Sequence, residues 1–293
     1  MSVQITTAFV EQYKGNVEHL VQQEASRLRS AVSAETVVGK NAFFEQIGKT
    51  EARIRTSRHS DTPRMDTPHS RRRVSLVDYD WADLIDDEDR VRMLIDPAGP
   101  YAKAASSAMG RAMDTAIVDA ADGTAFTGVA GGTSTAYTAA NTVDVQVGIS
   151  PAADTGLNVG KLRAAKNVLD ANEAADDDRF CVINAKQLQN LLGETEVTSS
   201  DFATVKALAH GEVESFLGFT FIRTELLEVD SNSDHKVLFF QRDGIKLALG
   251  SEPTVKISER ADKNHATQVF VSMSIGATRM QETLVGYIEC DPT

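Results

Sequence analysis

The spacing of hydrophobic positions changes period several times along this chain, and each change predicts an element. Val10, Tyr13, Val17, Leu20, Val21 and Leu28 recur at about 3.6-residue intervals, with Phe9 beside them. They predict that the first 35 residues are helical, weakened a little by Gly15. Val37–Gly48 and Val74–Leu84 read as the two limbs of an extended hairpin. In the second limb Val74, Leu76, Ala82 and Leu84 share one parity while Val77, Tyr79 and Trp81 share the other, so both faces carry apolar groups. An isolated hairpin is marginal in water, so this one needs a surface to lie against.

Tyr101–Ala121 is alanine-rich and predicts a long helix. Its packing face is Ala105, Met109, Ala112, Met113, Ala116 and Ile117, and Gly123 follows as a C-cap. Residues 123–156 are rich in Gly, Thr, Ala and Ser and predict loops and strand pieces, with Val143, Val145 and Val147 alternating. From residue 157 helix and strand patterns alternate. Leu157–Ala171 predicts a helix and Phe180–Ile183 a buried strand. Asn184 is placed to N-cap a helix ended by Gly193, and Ser200 to cap another ended by Gly211. Phe216–Ile222 and Val237–Gln241 predict strands. Towards the C-terminus Val255 and Ile257 alternate with polar residues, as do Val269, Val271, Met273 and Ile275. After Gly276 the parity moves to Met280, Leu284 and Ile288, which marks a bulge or turn. The chain thus leaves one domain near residue 150 and returns to it near 250, with an α/β unit inserted between.

With 42% hydrophobic and 25% charged residues in 293, a sizeable core is available. No apolar run approaches the roughly 18 residues of a membrane span. The opening MSVQITTAFVEQYKGN lacks a basic start and an apolar core, so export is not expected. Cys181 sits in an apolar run and Cys290 lies far from it, without a metal or disulfide framework. This usage fits a reducing cytoplasm during folding. The formal net charge of −12 argues against a surface that is basic throughout.

Residues 51–73 run against that balance. Arg53, Arg55, Arg58, Arg64, Arg71, Arg72 and Arg73 oppose Glu51, Asp61 and Asp66, a net +4. The middle is nearly a palindrome, with Asp-Thr-Pro at 61–63 and again at 66–68. Each proline biases the threonine before it to extended backbone. Ordering so polar an arm alone is costly, which points to its lying on something else. Phosphates are one candidate, but 51–73 has no aromatic residue for base stacking. A solvated loop is a second reading. The third is a protein contact. The segment 78–96 carries eight acids against two arginines, a net −6 that includes Asp83, Asp86, Asp87, Glu88 and Asp89. Between copies of the chain, the basic arm of one can lie on the acidic segment of the next, a head-to-tail contact that builds rings or lattices.

Catalytic patterns are missing from the sequence: no HExxH, GxSxG or metal-type Cys/His cluster occurs. Gly156–Lys161 is one residue short of a phosphate loop and reads as a helix start. His59 and His69 flank the hairpin tip symmetrically, and paired turn residues need no metal. No catalytic residue, metal or cofactor is assigned.

The strings TSRHSDTPRMDTPHSRRRVSLVDYDWADLIDDED and DFATVKALAHGEVESFLGFTFIRTELL, with the order of elements, resemble the major capsid protein of tailed bacteriophages, of Hong Kong 97-like fold. The resemblance implies an α+β chain with residues 1–40 as N-terminal arm and 41–90 as extended loop. It implies a peripheral domain at 91–156 and 251–293, holding a long spine helix, and an inserted α/β axial domain at 157–250. It implies a non-enzymatic protein that assembles as pentamers and hexamers into an icosahedral head around double-stranded DNA, without a membrane, in the cytoplasm of a bacterial host. A portal, and separate scaffolding or decoration proteins, would be its partners. Some relatives cross-link subunits through a lysine on the extended loop. Residues 51–76 contain none, and Lys49 stands only at the base of the first limb, so no such bond is expected here. A nanocompartment shell of the same fold and a soluble nucleic-acid-binding protein are the alternative readings.

Overall fold

The computed structural model describes residues 22–55, 57–58, 61–62, 64–86, 98–147, 154–194, 215–230 and 233–292. Its organising element is helix α1, Ala98–Asp122, three residues longer at its start and one at its end than the pattern predicts. Ala105, Met109, Met113, Ile117 and Ala121, four apart, are buried, and Val118 joins them. Such a stripe needs an apolar partner, and the long sheet supplies it.

That sheet has the order β1-β12-β13-β4. β12 (Ile245–Arg260) and β13 (Ala266–Arg279) form a long antiparallel pair. β1 (Ser33–Thr36) runs parallel to β12, and β4 (Val77–Ile85) antiparallel to β13. The predicted alternation in β13 holds, with Val269, Val271, Met273 and Ile275 all buried. Gly276 is not the break. It continues the strand opposite Ala248, where the backbone of Ser75 passes so close that a Cβ would come within 2.5 Å of it. The parity changes at Met280–Leu284, where a short 3-10 turn carries the chain into its last strand, Val285–Cys290.

A second sheet has the order β7-β14-β11-β8-β10-β9. It joins β7 (Thr142–Val143), β8 (Arg179–Ile183), β9 (Ser215–Phe216), β10 (Phe219–Arg223), β11 (His235–Gln241) and β14 (Val285–Cys290). All five residues of β8 are buried. Helices α2 (Val159–Ala171) and α3 (Ala185–Gly193) start where Asn158 and Asn184 accept the amides of Lys161 and Gln187, each at 2.8 Å. Two strands of this sheet, β7 and β14, come from outside residues 157–250, so the polypeptide enters and leaves the α/β unit through its own sheet. Of the alternating valines only Thr142–Val143 is strand. Beyond it the Asp144 carboxylate accepts the amide of Gln146 at 2.9 Å and turns the backbone.

The third sheet, β2-β3-β5-β6, carries the arm. Its strands are β2 (Asn41–Ile47), β3 (His69–Ser75), β5 (Ala125–Thr127) and β6 (Thr133–Thr135). The second limb read from the sequence is therefore two strands in two sheets, β3 and β4, divided at Leu76. Its double parity has this cause: Val74 is buried under the arm sheet, whereas Tyr79 and Trp81 pack on the core from the long sheet.

The N-terminal helix is also corrected where it is described. Residues 22–32 are bends and turns leading into β1. Asp114 of α1, wholly buried, accepts from the side chains of Gln23 and Ser26 and from the amides of Arg27 and Leu28, the last two at 2.9 and 3.1 Å. Amides spent on a carboxylate cannot make helical bonds, and Leu28 is buried as an anchor instead. Val10 to Val21, and the helix expected after Ser200, lie outside the described residues.

Candidate assembly surface

Between β2 and β3 every described residue from 48 to 68 is exposed and none is in regular structure. The arm closes on itself at the base, where the Gly48 amide donates to the Pro68 carbonyl at 2.8 Å. Beside this, Lys49 Nζ meets Glu173 Oε2 of the α/β unit at 2.6 Å, and that contact holds the Glu173 carboxyl below its usual range. Arg53, Arg55, Arg58 and Arg64 are exposed. Arg55 bonds the carbonyls of Ser57 and Arg58, and Arg64 meets Asp66 at 3.1 Å, so these contacts stay inside the arm. His69 is exposed on β3, and His59 lies outside the described residues.

The three consecutive arginines do not act together. Strand alternation turns Arg72 to the buried face and Arg71 and Arg73 to the open one. Arg72 is 5% exposed; its Nε donates to the Met280 carbonyl at 2.9 Å and its Nη2 to both oxygens of Glu282. Within its own subunit the Arg72 cation is already paired, on the buried face to which strand parity turns it. Arg71 bonds Glu45 across the β2–β3 ladder and lies 5.4 Å from the Phe43 ring centre. Arg73 stacks 4.7 Å from the ring centre of Phe126 on β5.

The acidic partner set is also divided. On β4, Asp78, Asp80, Ala82 and Leu84 face outward and are exposed, whereas Asp83 is half-buried on the inner face. Asp86 is exposed, and Asp87, Glu88 and Asp89 lie outside the described residues. The aromatics missing from the arm itself come from β2 and β5. No local signal placed Phe126 beside Arg73, since the pairing of β3 with β5 joins residues far apart in sequence.

Elsewhere the chemistry is structural. Lys161, the end of the phosphate-loop-like string, is fully buried, and its Nζ donates to the carbonyls of Thr155 and Glu289 at 2.5 and 2.8 Å. Burial lowers its pKa. Burial likewise raises the Cys181 thiol, and pushes Cys290 up to about 12. Among the described residues no group of three or more His, Cys, Asp or Glu is arranged to hold a metal, and no helix is long and apolar enough to cross a membrane.

A spine helix on a long antiparallel sheet, an inserted α/β unit and an exposed arm define the class: this is the Hong Kong 97-like fold of phage capsid proteins. The structure is similar to the capsid of Ralstonia phage GP4, with TM-score 0.75, 12% identity, and coverage of 97% of this chain and 96% of that one. It is similar to the capsid of cyanophage P-SCSP1u, with TM-score 0.72, 17% identity, and coverage of 99% and 95%. The capsid of cyanophage Pam1 gives TM-score 0.67 at 13% identity, with 98% of each chain covered. No curated protein matches the sequence. The phage capsid protein family model matches residues 5–292, and the chain belongs to that family.

Proposed function

We propose that this capsid protein builds the icosahedral head of a tailed phage from pentamers and hexamers of itself, enclosing double-stranded DNA and catalysing no reaction. The observation that carries this reading is the arm at 48–68, wholly exposed where described and opposite in charge to the rest of the chain. An extended polar segment fastened to its own subunit at its base, by Lys49–Glu173 and Arg72–Glu282, gains little along its exposed length; the surface of a second copy supplies what it lacks. Contact of the exposed arginines with the acidic stretch of the next subunit is heterologous and closes into rings. In this reading 1–40 is the N-terminal arm, 41–90 the extended loop, 91–156 with 251–293 the peripheral domain and 157–250 the axial domain meeting its copies at symmetry axes. The acidic balance of the chain keeps packaged DNA, itself a dense polyanion, from adhering. A portal, and scaffolding or decoration proteins, complete the particle in the bacterial cytoplasm.

The test reverses Arg53, Arg55 and Arg58 to Glu together. Negative-stain microscopy is expected to show no closed shells, while the isolated subunit keeps its circular dichroism and melting temperature. Shells like those of the unaltered chain would remove the arm from the mechanism. Nuclease-protected double-stranded DNA inside purified particles tests the cargo, and an enzyme cargo without DNA would favour a nanocompartment.

A further inference from the structure

The open face of the arm sheet is built like a docking seat. Phe43 pairs with Arg73 and Arg73 with Phe126, so the three side chains form one row across three strands. Phe43, Ile47, Phe126 and Val129 are 40%, 72%, 38% and 87% exposed around it. Arg73 is held in place: its guanidinium lies on Phe126, and its Cβ and Cδ fill the space a side chain at Gly131 would need. Among the described residues it forms no ion pair, and its buried Nε has no hydrogen-bond partner. A fixed guanidinium stacked on an aromatic ring loses little freedom when it takes up a carboxylate.

β4 presents the complement. Asp78 and Asp80 lie on one outward face, both exposed, and neither forms an ion pair among the described residues. Residues two apart on a strand are separated by about 6.7 Å, so Asp78 and Asp80 match the spacing of Arg71 and Arg73.

We propose that the Arg71–Arg73 face of one subunit receives the Asp78–Asp80 strand of a second copy, with Arg73 the principal cation and Phe43 and Phe126 walling the contact on either side. The proposal rests on the shell reading and names one of its contacts. Arginine beside phenylalanine also suits a single-stranded nucleic acid. Two features favour the protein strand: Glu45 already stands on Arg71, and the matching carboxylates belong to this same chain.

Three chains test it: Arg73→Glu, Asp78→Arg with Asp80→Arg, and all three changes combined. Assembly yield is read by sedimentation and microscopy, and subunit folding by thermal unfolding. Each partial reversal is expected to lower shell yield about tenfold or more, and the combination to raise it several-fold above either parent, since the position of the principal cation then regains an opposite charge while Arg71 does not. Arg73→Gln, which places no carboxylate beside Phe126, is expected to weaken assembly if Arg73→Glu fails to fold. Unchanged yield in Arg73→Gln or Arg73→Glu, or a combined chain no better than its parents, overturns the contact. So does salt-dependent oligonucleotide binding by the subunit that Arg73→Gln abolishes. If Arg73 variants assemble normally while the Arg53, Arg55 and Arg58 reversal does not, the shell reading stands and this contact alone falls.

Discussion

Arg72 and Glu282, 210 positions apart in sequence, meet through one guanidinium nitrogen that bridges both carboxylate oxygens at 2.6 and 2.5 Å. The pair fastens the base of the arm to the turn before β14, and Arg72 also holds the Met280 carbonyl. Removing Arg72 leaves Glu282 only the more distant Arg279, at 3.7 Å, and breaking such a pair costs about 3 kcal/mol. Arg72→Ala is therefore expected to lower the subunit's stability by about that amount in urea unfolding. Reversing all of 71–73 would confound assembly with folding, so assembly tests belong to the arginines that are exposed.

Asp114 holds residues 23–28 by four hydrogen bonds. Asp114→Ala leaves the buried Leu28 amide and the part-buried Arg27 amide without their acceptor, and a hydrogen bond to a charged group contributes about 1.5–3 kcal/mol net. Loss of about 3 kcal/mol is expected, with faster proteolytic cleavage before Leu28. Cleavage at the unaltered rate would mean that the segment is held by Leu28 alone.

The end of α1 contains a pH-sensitive junction. Lys236 on β11 meets Asp122 at 2.5 Å and Glu228 at 3.6 Å. Burial raises the Glu228 carboxyl above its ordinary range, and its hydrogen bond to Asp122 and the charge there raise it further. Because the folded pKa is the higher one, the folded chain binds this proton more tightly than the unfolded chain does. The stability so gained is complete below the unfolded value of 4.5 and is lost as pH rises through the folded one. Relative to Glu228→Gln, the unaltered chain is expected to gain stability as pH falls from 7 towards 5, seen as a shift in urea midpoints. A constant difference between the two would sink this assignment.

Gly131 has φ +63°, and a Cβ there would stand 2.6 Å from that of Arg73. Gly131→Ala is expected to cost about 1–2 kcal/mol and to dislodge Arg73 from Phe126. Assembly should then fall further than stability does, in parallel with Arg73→Gln.

Lys49 is the lysine nearest the arm on its N-terminal side, and it is paired with Glu173. Boiled shells are expected to run as single subunits on a denaturing gel. A ladder of covalent multimers would show a cross-link that this arm sequence does not suggest.

Much of the local structure was legible before any coordinates. The alanine-rich helix, the asparagine cap at 184 and the alternation in β13 follow from side chains acting on their own backbone. What stayed hidden depends on pairing at a distance. Nothing near residue 76 announces that β3 and β4 belong to different sheets, since no glycine or proline stands between Val74 and Val77. The helical stripe ending at Leu28 looked sound, yet Asp114 on another element draws away the amides it would need. Composition groups Arg72 with its neighbours as one basic cluster, since it is blind to which face a strand residue takes.

Leu76 alone separates β3 from β4; its amide donates to the Lys40 carbonyl at 3.0 Å, and its side chain packs over Gly250. The proposed seat and the proposed ligand strand thus hang from a single wedged joint. A seat and a ligand strand set at one angle would hand that angle on from each subunit to the next. Shell curvature would then be written at one leucine, and a smaller residue there should broaden the range of particle diameters.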